Sequence, residues 1–530
     1  MSNKNFFKFL IIILIYFWMG NQALYSIAKP QTDLLERLRA LPGVDVTEIE
    51  PQYDFLRTFE IDLTQPVNHH DPNGQTFKQR LYLSHRNESA PMVLHPSGYS
   101  VSARSIQEIA DFYTVNHISV THRYMAESKP QPIDWQYLTI EQAAADHHRV
   151  VTLFKQIYNG IWISTGASKS GQAALFHRRF YPDDVQGTIT FGSPILFSTT
   201  DPRFDHFLEN IAGDEESRTK IKQFQRTVLK NREDILPLVR LHLENMGYGY
   251  SLGEDVILEF AILEYPFYFW SFGSGDSSEI PDTTASAVEL LNHLLEIINL
   301  FEYTDVGNEY YKPVYYQLYT EIGYYRLRTD YLADLLVALS NPTHKIFAPN
   351  WDTITFKSEV MEDAHTWLQN EGNNIIYIYG GQDTWTAAAV EITGQTNAIK
   401  IVQPGANHFL RIADLDADKK QLILSMLDQW LNLTGMNEYQ MKINHFMLSQ
   451  NYPNPFNTYT TIQFQLPKSS FVTLKICNVL GKEIETLFEG RRTMGEYEVT
   501  WTAKGLPSGI YLVYLKADDF VEIKKVILQK

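Results

Sequence analysis

The stretch Gly160-Ile161-Trp162-Ile163-Ser164-Thr165-Gly166-Ala167-Ser168-Lys169-Ser170-Gly171 constrains this chain more than any other. Its first half reads as a buried strand, and Gln172 to about Phe180 reads as a helix. Small residues stand two before Ser168 and two and three after it, at Gly166, Ser170 and Gly171, as a turn sharp enough to convert a strand into a helix requires. Such a turn stands the serine hydroxyl above a sheet, beside a helix N-terminus that favours negative charge. Ser170 occupies a place where glycine is usual, and serine is small enough to serve. A plain tight turn would carry the same residues, so the rest of the chain must supply partners.

A serine hydroxyl is a weak nucleophile at neutral pH and needs a base, and an acid to orient that base. After a strand–turn–helix serine of this kind the chain order is Ser, then Asp or Glu, then His. Asn374 to Tyr379 reads as a strand ending in Gly380-Gly381-Gln382-Asp383. Ala398 to Val402 reads as the next, ending in Pro404-Gly405-Ala406-Asn407-His408. Both polar residues follow strand C-terminal ends, where open sheets carry their sites. Ser168 is therefore expected as nucleophile, His408 as general base and Asp383 as orienting acid. His344 and His365 precede Asp383 and break the order, and His445 lies beside a domain boundary. The backbone N–H of Lys169 is expected as one oxyanion donor. The turn His95-Pro96-Ser97-Gly98-Tyr99 is expected to supply the second through Gly98.

Pro91 to His95, Ile118 to His122 and Gly187 to Phe191 read as further strands, and Thr139 with Gln142 caps a helix through about Ile157. Alternating strands and helices imply a parallel sheet. Ser168 and Asp383 are 215 residues apart, Asp383 and His408 only 25. Within the gap Phe204–Met246, Val256–Trp270, Ala285–Phe301 and Asp330–Leu339 carry helical periodicity. The predicted fold is α/β: an α/β-hydrolase domain over residues 29–435 with an inserted helical cap at about 200–345. The string Tyr265-Pro266-Phe267-Tyr268-Phe269-Trp270 would either wall a substrate pocket or fill the cap core.

The ends differ from the middle. Lys4, Lys8, the apolar run Phe9–Met19 and the small residues Ser26 and Ala28 predict a signal peptide over residues 1–28, too short to span a bilayer comfortably. No later run reaches 18 apolar residues, so no stable membrane span is expected. Residues 446–530 turn to short strands with turn clusters, the pattern of a small β-sandwich. Lys plus Arg number 45 against 62 Asp plus Glu, a formal charge of -17 that argues against a nucleic-acid partner. The single cysteine, Cys477, excludes an internal disulfide and Cys-rich zinc sites. Asp146-His147-His148 and His69-His70-Asp71 are histidine clusters, but neighbours on a helix diverge and no His-Glu-x-x-His occurs. No metal and no nucleotide cofactor is expected.

Two resemblances sharpen this reading. Leu448-Ser449-Gln450-Asn451-Tyr452-Pro453-Asn454-Pro455-Phe456-Asn457, then Gly505-Leu506-Pro507-Ser508-Gly509-Ile510-Tyr511 and Val526-Ile527-Leu528, resemble the C-terminal sorting domain of the type IX (Por) secretion system. That implies the secretion machinery as partner, passage across an outer membrane, and release or surface attachment. Phe77-Lys78-Gln79-Arg80, His122-Arg123-Tyr124, Asp134-Trp135, Gln142-Ala143-Ala144-Ala145-Asp146, the serine turn and His177–Asp184 resemble the secreted bacterial tripeptidyl aminopeptidases, a family that includes prolyl tri- and tetrapeptidyl aminopeptidases. Tyr316-Gln317, Thr320-Glu321, Gly323-Tyr324 and Asp383-Thr384-Trp385 are similar, more distantly, to the lysosomal prolyl carboxypeptidase and dipeptidyl peptidase family. The resemblance implies a serine peptidase acting on oligopeptides with free N-termini, often after proline, through Ser168, Asp383 and His408. Trp385 and Trp270 are then expected at the substrate. Glu321 would hold the substrate's α-ammonium, or else bond structurally to the cap backbone. An esterase or lipase of the same fold, or a non-catalytic surface protein, stays open.

Overall fold

Strands β1 (Val44–Ile49), β2 (Arg57–Pro66) and β3 (Thr76–His85) lead into β4 (Met92–Pro96), β5 (Asn116–Val120), β6 (Trp162–Ala167), β7 (Gly187–Phe191), β8 (Ile375–Gly380) and β9 (Ile399–Gln403). They form one sheet in the order β1-β2-β3-β5-β4-β6-β7-β8-β9. The pairs β1–β2, β2–β3 and β3–β5 are antiparallel, and every pair from β5–β4 to β8–β9 is parallel. β4, β5, β7 and β8 are buried along their whole length, as continuous apolar runs in a covered parallel sheet should be. The six parallel strands match the predicted ones to within two residues. The antiparallel β1–β3 were not foreseen.

The computed structural model describes residues 33–432 and 446–529, apart from 467–469, 480, 493–494 and 519. The expected signal peptide and the expected boundary near residue 435 lie outside the described residues. The chain divides into two units, Met1–Pro42 and Gly43–Lys530. The described part of the first carries a short helix, Leu34–Arg39, capped by the Asp33 carboxylate.

Helices α1 (Ile140–Phe154) and α2 (Lys169–Phe180) flank the serine turn, and further helices lie between β7 and β8. These are α3 (Arg203–Asn210), α4 (Glu215–Lys230), α5 (Arg232–Met246), α6 (Glu254–Ser271), α7 (Ala287–Ile297), α8 (Asp305–Gln317) and α9 (Ser358–Asn370). The expected helix Phe204–Met246 is three helices. Gly213 adopts φ +59° and Asp214 caps a fresh start by accepting the Ser217 N–H at 2.8 Å. Asp330–Leu339 forms turns instead of a helix. The Glu259 carboxylate takes the backbone N–H groups of Val337, Ala338 and Leu339 at 2.7 to 3.2 Å. Backbone donors committed to a buried carboxylate are lost to a helical ladder. On the other side of the sheet, α10 (Ala417–Trp430) closes the core, with Trp430 so near Gly187 that a Cβ there would lie 2.3 Å from the indole.

The C-terminal strands form two antiparallel sheets, β10 (Met447–Leu448), β11 (Tyr459–Leu466) and β14 (Gly495–Thr502) in one, and β13 (Glu483–Arg492), β12 (Ser470–Asn478), β15 (Gly509–Ala517) and β16 (Phe520–Leu528) in the other. They share one apolar core that includes Ile462, Phe464, Leu474, Trp501 and Val513. Among the described residues no helix is long and apolar enough to cross a membrane.

Candidate active site

Ser168 joins β6 to α2 with φ 55° and ψ −129°. A non-glycine residue held in such a region costs on the order of 1–3 kcal/mol, and the surroundings must enforce it. They do so by close approach. A Cβ on Gly166 would lie 2.5 Å from the Ser170 backbone, and one on Gly171 would lie 1.8 Å from Ser193 Oγ. The Ser168 N–H donates to Phe191 O at the end of β7, at 2.8 Å, which pins the turn to the neighbouring strand.

Asp383 and His408 follow β8 and β9, and the fold brings them together: His408 Nδ1 lies 2.6 Å from Asp383 Oδ2. Asp383 is fully buried, and its Oδ1 accepts the Trp385 N–H at 3.1 Å. The end of α6 secures both loops, since the His408 N–H donates to Ser271 O at 2.9 Å and the Thr384 N–H to Ser271 Oγ at 3.1 Å. A carboxylate at Nδ1 fixes the proton there and leaves Nε2 as acceptor. Gly192, directly after β7, was missed in the sequence. A Cβ there would lie 2.8 Å from the His408 ring and 3.0 Å from Asp383 Oδ2, so only glycine lets the end of β7, whose Phe191 carbonyl holds the Ser168 N–H, approach this pair.

Ser168 opens onto a cavity of about 440 Å³, within the usual range for small-ligand sites. Trp385 lines it, with its ring 6.5 Å from that of His408. Lys169 also lines it; its Nζ donates to Gln317 Oε1 at 2.7 Å, and burial pulls the ammonium down to about 7. The Lys169 N–H is the first of α2, and among the described residues no acceptor takes it.

Three expected residues stand elsewhere or are committed. The Gly98 N–H donates to Ser170 Oγ at 3.0 Å, so it is not free for a substrate oxygen. Gly98 serves packing instead: a Cβ there would lie 2.6 Å from Lys169 Cγ. Tyr99 shares the cavity wall with Ser168, whose side chain acts on its phenol, and burial keeps that phenol protonated. Trp270 is 2 % exposed, packs edge-to-face on Phe269 and does not line the Ser168 cavity, so it belongs to the cap core. Glu321 also lies off the cavity; it accepts the Ile140 N–H at 2.8 Å, at the start of α1.

Residues 28–444 match the family described as PS-10 peptidase S37. The chain belongs to that family. It is 31% identical over 413 residues to the prolyl tri/tetrapeptidyl aminopeptidase of Streptomyces mobaraensis, covering 76% of this chain and 86% of the relative. A solved proline iminopeptidase of Mycobacterium smegmatis covers 70% of this chain and 99% of its own, at 12% identity and a TM-score of 0.35. An epoxide hydrolase A of Mycobacterium thermoresistibile covers 73% and 98%, at 13% identity and a TM-score of 0.30. Residues 450–529 match a secretion system C-terminal sorting domain. This S37 chain is thus a serine peptidase on an α/β-hydrolase fold, and its sorting domain marks it for export to the cell surface or medium.

The wall of the peptidase's cavity carries one acid the sequence reading missed, Glu302. Tyr268 Oη donates to its Oε2 at 3.1 Å, and among the described residues no cation pairs with it. Burial first, then the charge of Glu264, push the Glu302 carboxyl up to about 8. The native state therefore keeps this proton where the unfolded chain has lost it. The group's contribution to stability falls as pH rises from the ordinary 4.5 to about 8 and levels off above. Glu302→Gln is expected to gain melting temperature over wild type progressively across that window, with no gain below it. Paired thermal melts from about pH 4 to about pH 9 check this.

Two of the clustered histidines bond to carboxylates, His148 to Asp184 at 2.8 Å and His69 to Asp146. His69 Nε2 lies 2.7 Å from Asp146 Oδ1, while Arg123 binds both oxygens of the same carboxylate at 2.7 and 2.8 Å. Burial would raise Asp146, but Arg123 and His69 override it and leave it at about 2. His344, out of order in the chain, bonds to the buried Glu264. Among the described residues no three His, Cys, Asp or Glu side chains are grouped to hold a metal.

Proposed function

We propose that this S37 peptidase removes tripeptides from the free N-termini of oligopeptides, with proline favoured at the cleavage site. The observation that carries the catalytic assignment is the 2.6 Å bond between His408 Nδ1 and Asp383 Oδ2, in a chain whose Ser168 stands in a strained strand–helix turn. Ser168 Oγ attacks the scissile carbonyl and passes its proton to His408 Nε2. Asp383 holds the other ring nitrogen and stabilises the imidazolium that forms. The Lys169 N–H and the Tyr99 hydroxyl stabilise the tetrahedral oxyanion. His408 then protonates the leaving amine, the acyl-enzyme remains on Ser168, and water attacks it with His408 as base.

The N-terminal polarity and the proline preference draw on the relative named prolyl tri/tetrapeptidyl aminopeptidase. The cavity supports a short substrate, since cap residues such as Tyr268 and Tyr315 share its wall with Ser168 and Tyr99. A chromogenic tripeptidyl substrate ending in proline, run beside a single aminoacyl substrate and a short acyl ester, tests the reading. The tripeptidyl substrate is expected to have the highest kcat/KM. Preference for the single residue or the ester would contradict it.

Export is proposed to run in two stages, an N-terminal signal peptide over residues 1–28 and then the type IX route read from the C-terminal domain. Deleting residues after about Gly435, the proposed domain boundary, is expected to leave the enzyme active but trapped in the periplasm. Cell fractionation checks this, and normal appearance of the truncated chain outside the cell would contradict it.

A further inference from the structure

We propose that Glu302 is the group that receives the α-ammonium of the substrate's free N-terminus, which deepens, and rests on, the aminopeptidase reading above. Of the residues lining the Ser168 cavity only Lys169 and Glu302 carry a charged side chain. Lys169 is already bonded to Gln317. Among the other buried carboxylates of the peptidase, Asp146 has Arg123, Asp201 has Arg203, Glu259 has Arg232, Glu264 has His344 and Asp383 has His408, while Glu321 is taken by the Ile140 backbone N–H. Glu302 has a single phenol, that of Tyr268. An acid left so in a largely apolar cavity lacks a counter-charge, and an entering ammonium, by supplying one, favours its ionised form.

The site is built to hold its position. Glu302 belongs to the turn Leu300–Tyr303, whose first N–H groups are capped by Asn299, with Phe301 N donating to Asn299 Oδ1 at 3.0 Å. The adjoining Tyr303 is fully buried and bonds to Glu264. Tyr99 lines the same cavity as Ser168 and Glu302. Both the Ser168 side chain and the charge of Glu302 act on its phenol. A carboxylate fixed on a rigid turn, with the nucleophile across the same cavity, counts residues: three extended residues span on the order of 10 Å. Glu321, the acid suggested by sequence, is committed to the Ile140 N–H.

The test compares kcat/KM for a free tripeptidyl substrate ending in proline with its N-acetylated twin. It is run in wild type, Glu302→Gln, Glu302→Ala and Glu321→Gln, with thermal melts and phosphonate labelling of Ser168 as checks of folding. Wild type is expected to prefer the free substrate. Glu302→Gln and Glu302→Ala are each expected to lose at least about tenfold of that preference, the usual size for a charge-assisted contact, so either variant alone decides the point. Glu321→Gln is expected to keep it. A wild-type preference that survives in both folded Glu302 variants would overturn the Glu302 assignment while leaving the aminopeptidase reading intact. Equal rates on both substrates in wild type would overturn the two together.

Discussion

Ser168→Ala is expected to lower kcat/KM on peptide substrates by at least about 10³-fold with little change in melting temperature. The side chain is small and half-buried at a turn whose geometry is enforced by Gly166, Gly171 and the Ser168 N–H bond to Phe191, none of which needs the hydroxyl. What is lost is the atom that becomes acylated. His408→Ala is expected to cost about as much, and the double variant no more than either, because nucleophile and base act as one unit. Purified Ser168→Ala with turnover near wild type would refute the assignment.

Tyr99→Phe is expected to lower kcat by about 10²- to 10³-fold while leaving KM nearly unchanged, the pattern for a donor whose bond strengthens only as the oxyanion forms. The substitution keeps the ring that packs edge-to-face with Tyr311 at 6.5 Å and removes only the hydroxyl on which the Ser168 side chain acts. Steady-state kinetics on one peptide substrate separate the two parameters. An unchanged kcat would return the second donor role to backbone groups of the turn after β4.

The parts of this molecule that could be read from its sequence are those whose physics is local. Buried parallel strands announce themselves as short apolar runs, so β4 to β9 were found within two residues. The strand-end positions of Ser168, Asp383 and His408 followed from them. The strands β1 to β3 alternate buried and exposed residues and carry many polar side chains, so no comparable run marks them. Asp330–Leu339 has helical spacing, yet Glu259, far away in sequence, takes its backbone donors. The same distance in sequence hid Glu302. One acid in the run Leu300-Phe301-Glu302-Tyr303 looks like any surface residue until α6 and α8 close a cavity around it. Glu321 illustrates the converse: an apolar neighbourhood suggested a substrate anchor, whereas a backbone N–H of α1 already occupies the carboxylate. Tyr99 lay inside a turn already singled out, but nothing local shows that the Gly98 N–H is taken by Ser170.

The most direct measurement is mass spectrometry of the products formed by the purified, full-length peptidase from an unmodified peptide of about ten residues bearing proline third from its N-terminus. The mechanism predicts an intact N-terminal tripeptide as the first product, absent when the peptide is N-acetylated and absent with Ser168→Ala. Internal cleavage, release of single residues, or the same products from the acetylated peptide would contradict it.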